Sequence, residues 1–190
     1  MKLHHLQTHY PSIFTTEEAG SLGVSPQLLQ HYHNKGLIER SSHGVYRFSD
    51  TLGISLESQI KEILKAVPHG IVSHKTALRL YGLTEEAPPH IDLIVPDKNI
   101  PKRKLDDVQL HPFAAALLKN GIIYLRGIRV TSLERTLVDL LRAGEPLSFV
   151  IAAFREAQSK KLKPKLPSIR RLGVLLHAKA KTNLFLEALL

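Results

Sequence analysis

The sequence predicts an α+β protein in two parts. The first is a winged helix-turn-helix over residues 1–52; the second is a mixed α/β domain over residues 53–190, with a small sheet and a helical C-terminal part. Three observations predict this. Residues 14–48 read, in order, as helix, tight turn, helix and β-hairpin. Short β-type runs and amphipathic helical runs share residues 56–141. Beyond about residue 145 the strand signals stop and basic helical segments follow to residue 190.

Each element has a local reason. Residues 1–10 are expected to form a short helix that packs Leu3 and Leu6 onto the motif. Thr15 can cap the next helix, and Glu18 three residues on completes a capping box. Ala19 and Leu22 face inward, and Gly23 ends the helix where a positive φ is needed. Ser25 can cap the following helix, with Pro26 at its first position, where the missing N–H costs nothing. At about 100° per residue, Leu28, Leu29 and Tyr32 then fall on one side, and Pro26, Gln27, Gln30 and Asn34 on the other, with His31 at the edge. Gly36 closes the helix. Leu37 and Ile38 begin a strand, residues 41–44 turn, and residues 45–48 return.

Residues 50–54 read as the passage into the second domain. Leu56, Ile60, Ile63, Leu64 and Val67 mark an amphipathic helix, broken by residues 68–70 (PHG). Ser73 is expected to cap a helix that ends at Gly82. Residues 91–95, 108–111, 122–126 and 128–131 read as strands, with Gly127 turning the last pair. Residues 97–104 form a basic loop. Thr131 with Glu134 suggests a capping box for a helix through Leu141, and Arg135 with Asp139, four apart, suggests a helix-surface ion pair. Residues 149–161 are helical, 161–167 a basic, proline-broken linker, and Ser168 opens a last helical region with a break near Thr182 and Asn183. No internal repeat is present.

Composition narrows the function. The chain has 190 residues, no cysteine, 43% hydrophobic and 23% charged residues, which are ordinary globular values. Without cysteine, disulfides and thiol nucleophiles are excluded, which suits a cytoplasmic location. No apolar run follows Met1 and Lys2, so no signal peptide is expected, and no stretch approaches the ~20 apolar residues of a membrane span. The net charge is +9, unevenly placed: residues 146–190 carry 9 basic and 2 acidic groups, whereas residues 1–52 carry 4 of each.

The helix-turn-helix is the feature that carries chemistry. Its polar face holds no carboxylate, glutamine and asparagine amides can pair bidentately with adenine, and imidazoles can donate to guanine or phosphate. The expected DNA-reading residues are Ser25, Pro26, Gln27, Gln30, His31, Asn34 and Lys35 on the second helix, and Arg40, Ser41, Ser42, His43 and Arg47 on the wing. Lys102, Arg103, Lys104, Lys160, Lys161, Lys163, Lys165, Arg170 and Arg171 form a possible second basic surface, for flanking DNA, RNA or an acidic partner. Residues 1–52 also hold six histidines, His4, His5, His9, His31, His33 and His43. Imidazoles charge as pH falls toward about 6, so DNA affinity is expected to strengthen there; a titration with flat affinity from about pH 6 to 8 would count against that.

Enzymatic chemistry is weakly signalled. There is no glycine-rich phosphate loop and no Gly-x-Ser-x-Gly elbow. His5 and His9 sit four apart, and Asp92 with Asp97 suggests a metal-dependent nuclease, but neither set implies its further ligands. No catalytic residue, metal or cofactor is expected. Two alternatives stand beside DNA reading: a DNA-targeted nuclease-like enzyme, and a protein-interaction module that uses the helix-turn-helix as scaffold.

Residues 73–83 (SHKTALRLYGL), 91–96 (IDLIVP) and 127–139 (GIRVTSLERTLVD), with the wing strand 44–48 (GVYRF), resemble the AbiEi antitoxin family in order and spacing, over roughly residues 10–160. The resemblance implies an N-terminal winged helix that represses its own promoter by binding inverted repeats, two copies being expected on DNA. It implies a C-terminal domain that counters a nucleotidyltransferase-like toxin, directly or functionally, in a bacterial type IV toxin–antitoxin operon linked to abortive phage infection. It implies no enzyme. On this resemblance the DNA-reading positions are Ser25, Gln27, Gln30, His31, Asn34 and the wing from Arg40 to Arg47. The near-zero charge of residues 1–52 departs from what a strong repressor would carry.

Overall fold

The computed structural model describes residues 2–10, 13–49, 55–85, 89–101, 105 and 107–189. The chain forms two compact units, Met1–Pro68 and His69–Leu190. The fold is α+β, as the sequence predicts.

In the first unit α1 (Lys2–His9) and β1 (Ile13–Thr15) precede α2 (Thr16–Ser21) and α3 (Pro26–Asn34), followed by β2 (Ile38–Ser42), β3 (Val45–Phe48) and α4 (Leu56–Ala66). The expected capping box at α2 is formed: the Glu18 N–H donates to Thr15 Oγ1 at 3.1 Å, and the Thr15 N–H to Glu18 Oε2 at 2.6 Å. The Ser25 hydroxyl accepts from the Leu28 N–H at 3.3 Å and starts α3. Leu6, Phe14, Ala19, Val24, Leu29, Ile38, Tyr46 and Phe48 make one core, so both helices of the motif and the wing hang from the same apolar cluster.

Two features of this unit differ from the sequence reading. The sheet has three antiparallel strands in the order β1-β3-β2, with Ile13 opposite Arg47 and Thr15 opposite Val45. Strand β1 is three residues long, too short to show any alternation; it exists because β3 offers it a partner. Helix α4 belongs here too, where the sequence reading began the second domain at residue 53. It packs on β1 and β3. Its Lys65 ammonium donates to the Ile13 carbonyl at 3.0 Å and pairs with Glu18 at 2.7 Å.

The second unit is a five-stranded mixed sheet with helices. Its elements are β4 (Ile71–Val72), α5 (His74–Leu80), β5 (Ile91–Pro96), β6 (Val108–Phe113), β7 (Ile122–Leu125), β8 (Ile128–Thr131), α6 (Leu133–Ala143), α7 (Leu147–Ser159), α8 (Leu166–Leu175) and α9 (Lys179–Glu187). The strand order is β6-β5-β4-β8-β7, with β5–β6 and β4–β8 parallel and the other two pairs antiparallel. The two-residue β4 was not foreseen, yet it is the centre of the sheet. Leu137, Val138, Leu140 and Leu141 of α6 join Leu78, Ile94, Val150, Phe154, Ile169, Leu172 and Phe185 in the core.

Helix α6 corrects two expectations. Its cap is Ser132, whose hydroxyl accepts from the Arg135 N–H at 3.3 Å, not Thr131. Thr131 ends β8 and its hydroxyl bonds that of Thr136 at 2.7 Å, while Glu134 instead accepts from the Lys165 N–H at 3.1 Å. The pairing rule also misplaced the Arg135–Asp139 pair. Its geometry is i,i+4 as foreseen, with Nε to Oδ2 at 2.8 Å, but both side chains are fully buried rather than on the surface. Arg135 Nη1 further donates to the carbonyls of Leu117 and Asn120, at 3.0 and 2.9 Å. Gly121 makes room for it: a Cβ there would lie 2.8 Å from that of Arg135.

The break between the last helices falls at residues 176–178, not near Thr182. Thr182 is instead buried within α9, against Gly173 of α8, where an added Cβ would come within 2.4 Å of its Oγ1 and 2.7 Å of its Cβ. Since the neighbouring contact includes Cβ, rotation of Thr182 cannot relieve it. Gly173→Ala is expected to cost about 1–3 kcal/mol, the usual penalty of overpacking a tight core. Thermal denaturation would show it, and Thr182→Gly should recover part of the loss in the double variant.

Candidate nucleic-acid interface

The polar face of α3 is built by the burial of its other face. Leu29 is fully buried in the core of the unit, and Leu28 and Tyr32 pack partly against it. With those three held inward, Ser25, Pro26, Gln27, Gln30, His31, Asn34 and Lys35 are all exposed. They form one continuous carboxylate-free face, as the helical spacing requires. Two of the amides meet: Gln30 Nε2 donates to Asn34 Oδ1 at 2.9 Å.

The wing stands beside it. In β2 and β3, Arg40 lies opposite Tyr46 and Glu39 opposite Arg47, with an irregularity between Arg40 and Ser42. Arg40, Ser41 and His43 are exposed, and Ser42 and Arg47 half-buried. The Arg40 guanidinium lies 3.1 Å from His43 Nδ1. Arg47 is committed elsewhere, in an ion pair with Glu39 across the ladder. It also lies near Glu62 of α4, whose carboxyl is pushed up by burial and pulled back by Arg47 and Lys65. The sequence placed Arg40 and Arg47 as equals; the strand register makes them unequal, because it sets a carboxylate directly across from Arg47 alone.

The second expected basic surface is only partly described. Lys160, Lys161, Lys163, Lys165, Arg170 and Arg171 are exposed on and around the ends of α7 and α8. Lys160 pairs with Glu156 at 3.2 Å and donates to the Gly82 carbonyl. Lys102, Arg103 and Lys104 lie outside the described residues.

The metal pairs considered and set aside in the sequence fare differently. His5 and His9 are exposed neighbours with ring centroids 4.4 Å apart. Asp97 lies in an exposed 3-10 turn, Asp97–Asn99. Asp92 is joined instead by two residues that sequence reasoning missed, His74 and His111. They are 37 residues apart in the chain, so no spacing signal could have paired them. No described helix is long and apolar enough to cross a membrane.

Residues 5–49 match the family described as transcriptional regulator, AbiEi antitoxin. The match spans most of α1 through β3, the motif and its wing; the second unit lies outside it. No curated protein matches the chain. Among solved structures, the crystal structure of the RV2827C protein from Mycobacterium tuberculosis is similar, with a TM-score of 0.57 at 14% identity over 97% of this chain and 78% of that one. That likeness is one of fold.

Proposed function

We propose that the protein is a DNA-binding autorepressor and antitoxin of a bacterial toxin–antitoxin operon. On this reading α3 and the wing bind inverted repeats in the operon's own promoter, two copies per operator, and the second unit counters a nucleotidyltransferase-like toxin. The observation that carries the DNA part is the exposed, carboxylate-free face of Ser25, Gln27, Gln30, His31 and Asn34, held outward by burial of Leu29 and flanked by Arg40. Helix-turn-helix proteins place such a face against base edges in the major groove, with phosphate contacts from neighbouring loops or strands. The family match over residues 5–49 supports the regulatory role.

A gel shift of the full chain on its own upstream DNA, with excess nonspecific competitor at two salt concentrations, tests this. A shift that survives competitor and weakens with salt supports the repressor. Absence of any specific shift would leave the helix-turn-helix as a protein-binding scaffold.

The wing yields a finer test. Arg40→Ala should weaken binding nearly uniformly across DNA sequences and lower the salt slope by about one unit, as loss of one phosphate contact does. Arg47→Ala should do less to the slope, since its charge is already met by Glu39. Equal slopes for Arg40→Ala and the unaltered protein would take Arg40 off the DNA.

A further inference from the structure

We propose that His74, Asp92 and His111 form a binding site for one divalent transition-metal ion of the zinc class, in the second unit and separate from the DNA-reading face. Among the described residues these three bring their ligand atoms within 4.8 Å of one another. They come from three elements: His74 opens α5, Asp92 lies on β5 and His111 on β6. In the parallel β5–β6 ladder Asp92 is opposite Gln109 and Ile94 opposite His111. Strand alternation therefore puts Asp92 and His111 on the same face of the sheet as the core residue Ile94.

The supporting contacts are those of a metal site's outer shell. Ser73 Oγ lies 2.8 Å from His74 Nδ1, the kind of outer-shell hydrogen bond that orients a metal-binding imidazole. The Thr76 N–H and hydroxyl hold Asp92 Oδ2 at 3.4 and 3.3 Å, and Oδ1 is turned to His111 Nε2 at 2.9 Å. That last contact is a proton bridge which a cation can replace. His74 sits at φ +50, in the left-handed region, one of several non-glycine residues there.

The electrostatics are mixed in sign. Burial first, then His111, drive the His74 imidazole down, with Asp92 pulling the other way and Arg135 and Arg142 adding to the fall. Arg135 and Arg142 oppose a dication; Asp92 and Asp139 favour it. Two imidazoles and one carboxylate select zinc-class ions over magnesium or calcium, which take oxygen. Metal–ligand bonds of about 2.0–2.1 Å put tetrahedral ligand atoms ~3.4 Å apart, so loading must draw the trio together. It must also open the two rings, now stacked at 3.8 Å and 19°. Three protein ligands leave a fourth position for water or a substrate atom.

The test is titration of chelator-stripped full-length protein with Zn²⁺ by calorimetry, and with Co²⁺ by its visible absorption, which reports coordination geometry directly. His5→Ala/His9→Ala removes the competing surface pair. His111→Gln keeps a donor to Asp92 while losing a good ligand, so it should fold with the melting temperature of the metal-free parent. The expected result is one equivalent bound in the His5→Ala/His9→Ala background, at least tenfold weaker in His111→Gln and in Asp92→Asn. Zn²⁺ should then raise the melting temperature of the parent and not of His111→Gln. No binding, binding lost with His5 and His9, or binding unchanged in His111→Gln would each overturn the site and leave the trio as a hydrogen-bonded cluster. The outcome is independent of whether the first unit binds DNA.

Discussion

Replacing Arg135 with Met is expected to cost about 3–5 kcal/mol, because it strands the buried carboxylate of Asp139 without its counter-charge. That is a large part of the ~5–15 kcal/mol that holds a typical domain folded. The side chain is fully buried, and one guanidinium serves the Asp139 carboxylate and the carbonyls of Leu117 and Asn120 together. Lysine keeps the charge but has no planar fork to reach all three, so Arg135→Lys should recover only a fraction. The loss should also depend on pH. Burial lifts the Asp139 carboxyl to about 6 while Arg135 pulls it back. Without Arg135 that pull is gone and the carboxyl rises further. A folded-state value above the unfolded one contributes stability at low pH that is lost as pH rises through it. The Arg135→Met penalty should therefore grow as pH rises above about 6 and shrink as pH falls toward 5. Urea denaturation at several pH values measures this; a penalty under 1 kcal/mol at neutral pH would show that the pair is easily replaced.

Replacing Gln30 and Asn34 together with Ala is expected to cost about 2–6 kcal/mol of specific DNA binding, at about 1–3 kcal/mol per good base contact. That is roughly thirty-fold or more in affinity. The two side chains are exposed and bonded to each other, an i,i+4 contact worth about 0.2–0.5 kcal/mol to the helix. Folding should thus be nearly unaffected, and affinity for unrelated DNA should barely change. Competition gel shifts with operator and random duplexes separate the two. Unchanged operator affinity would remove both residues from the reading face.

How much of this was legible in the sequence depends on the range of the interactions. The capping box of Thr15 and Glu18, the Ser25 cap and the inward row of Leu28, Leu29 and Tyr32 are local, and spacing alone found them. Strands β1 and β4 were invisible because three residues and two carry no period; their partners, β3 for one and β5 and β8 for the other, create them. Arg135 and Asp139 were read as a surface pair because spacing gives their contact but not their depth. Their burial follows from Gly121 and the carbonyls of Leu117 and Asn120, residues outside α6. The inequality of Arg40 and Arg47 needed the register, and the His74–Asp92–His111 trio needed the β5–β6 pairing. In each case the missing information was contact between distant segments.

The charge pattern of the first unit has a consequence for how this protein would search a chromosome. Residues 1–68 hold 6 basic and 6 acidic groups, and one of the wing's two arginines is tied to Glu39. Each phosphate neutralised releases condensed counterions and contributes about 0.9 to the slope of log affinity against log salt. A winged helix with so few cations to offer gains little from an arbitrary duplex. On the proposed function, that unit would reside briefly on arbitrary DNA, and fewer copies would be sequestered by non-operator DNA. If the proposed function holds, promoter selectivity in this unit would rest on the amides of α3 finding their bases rather than on charge.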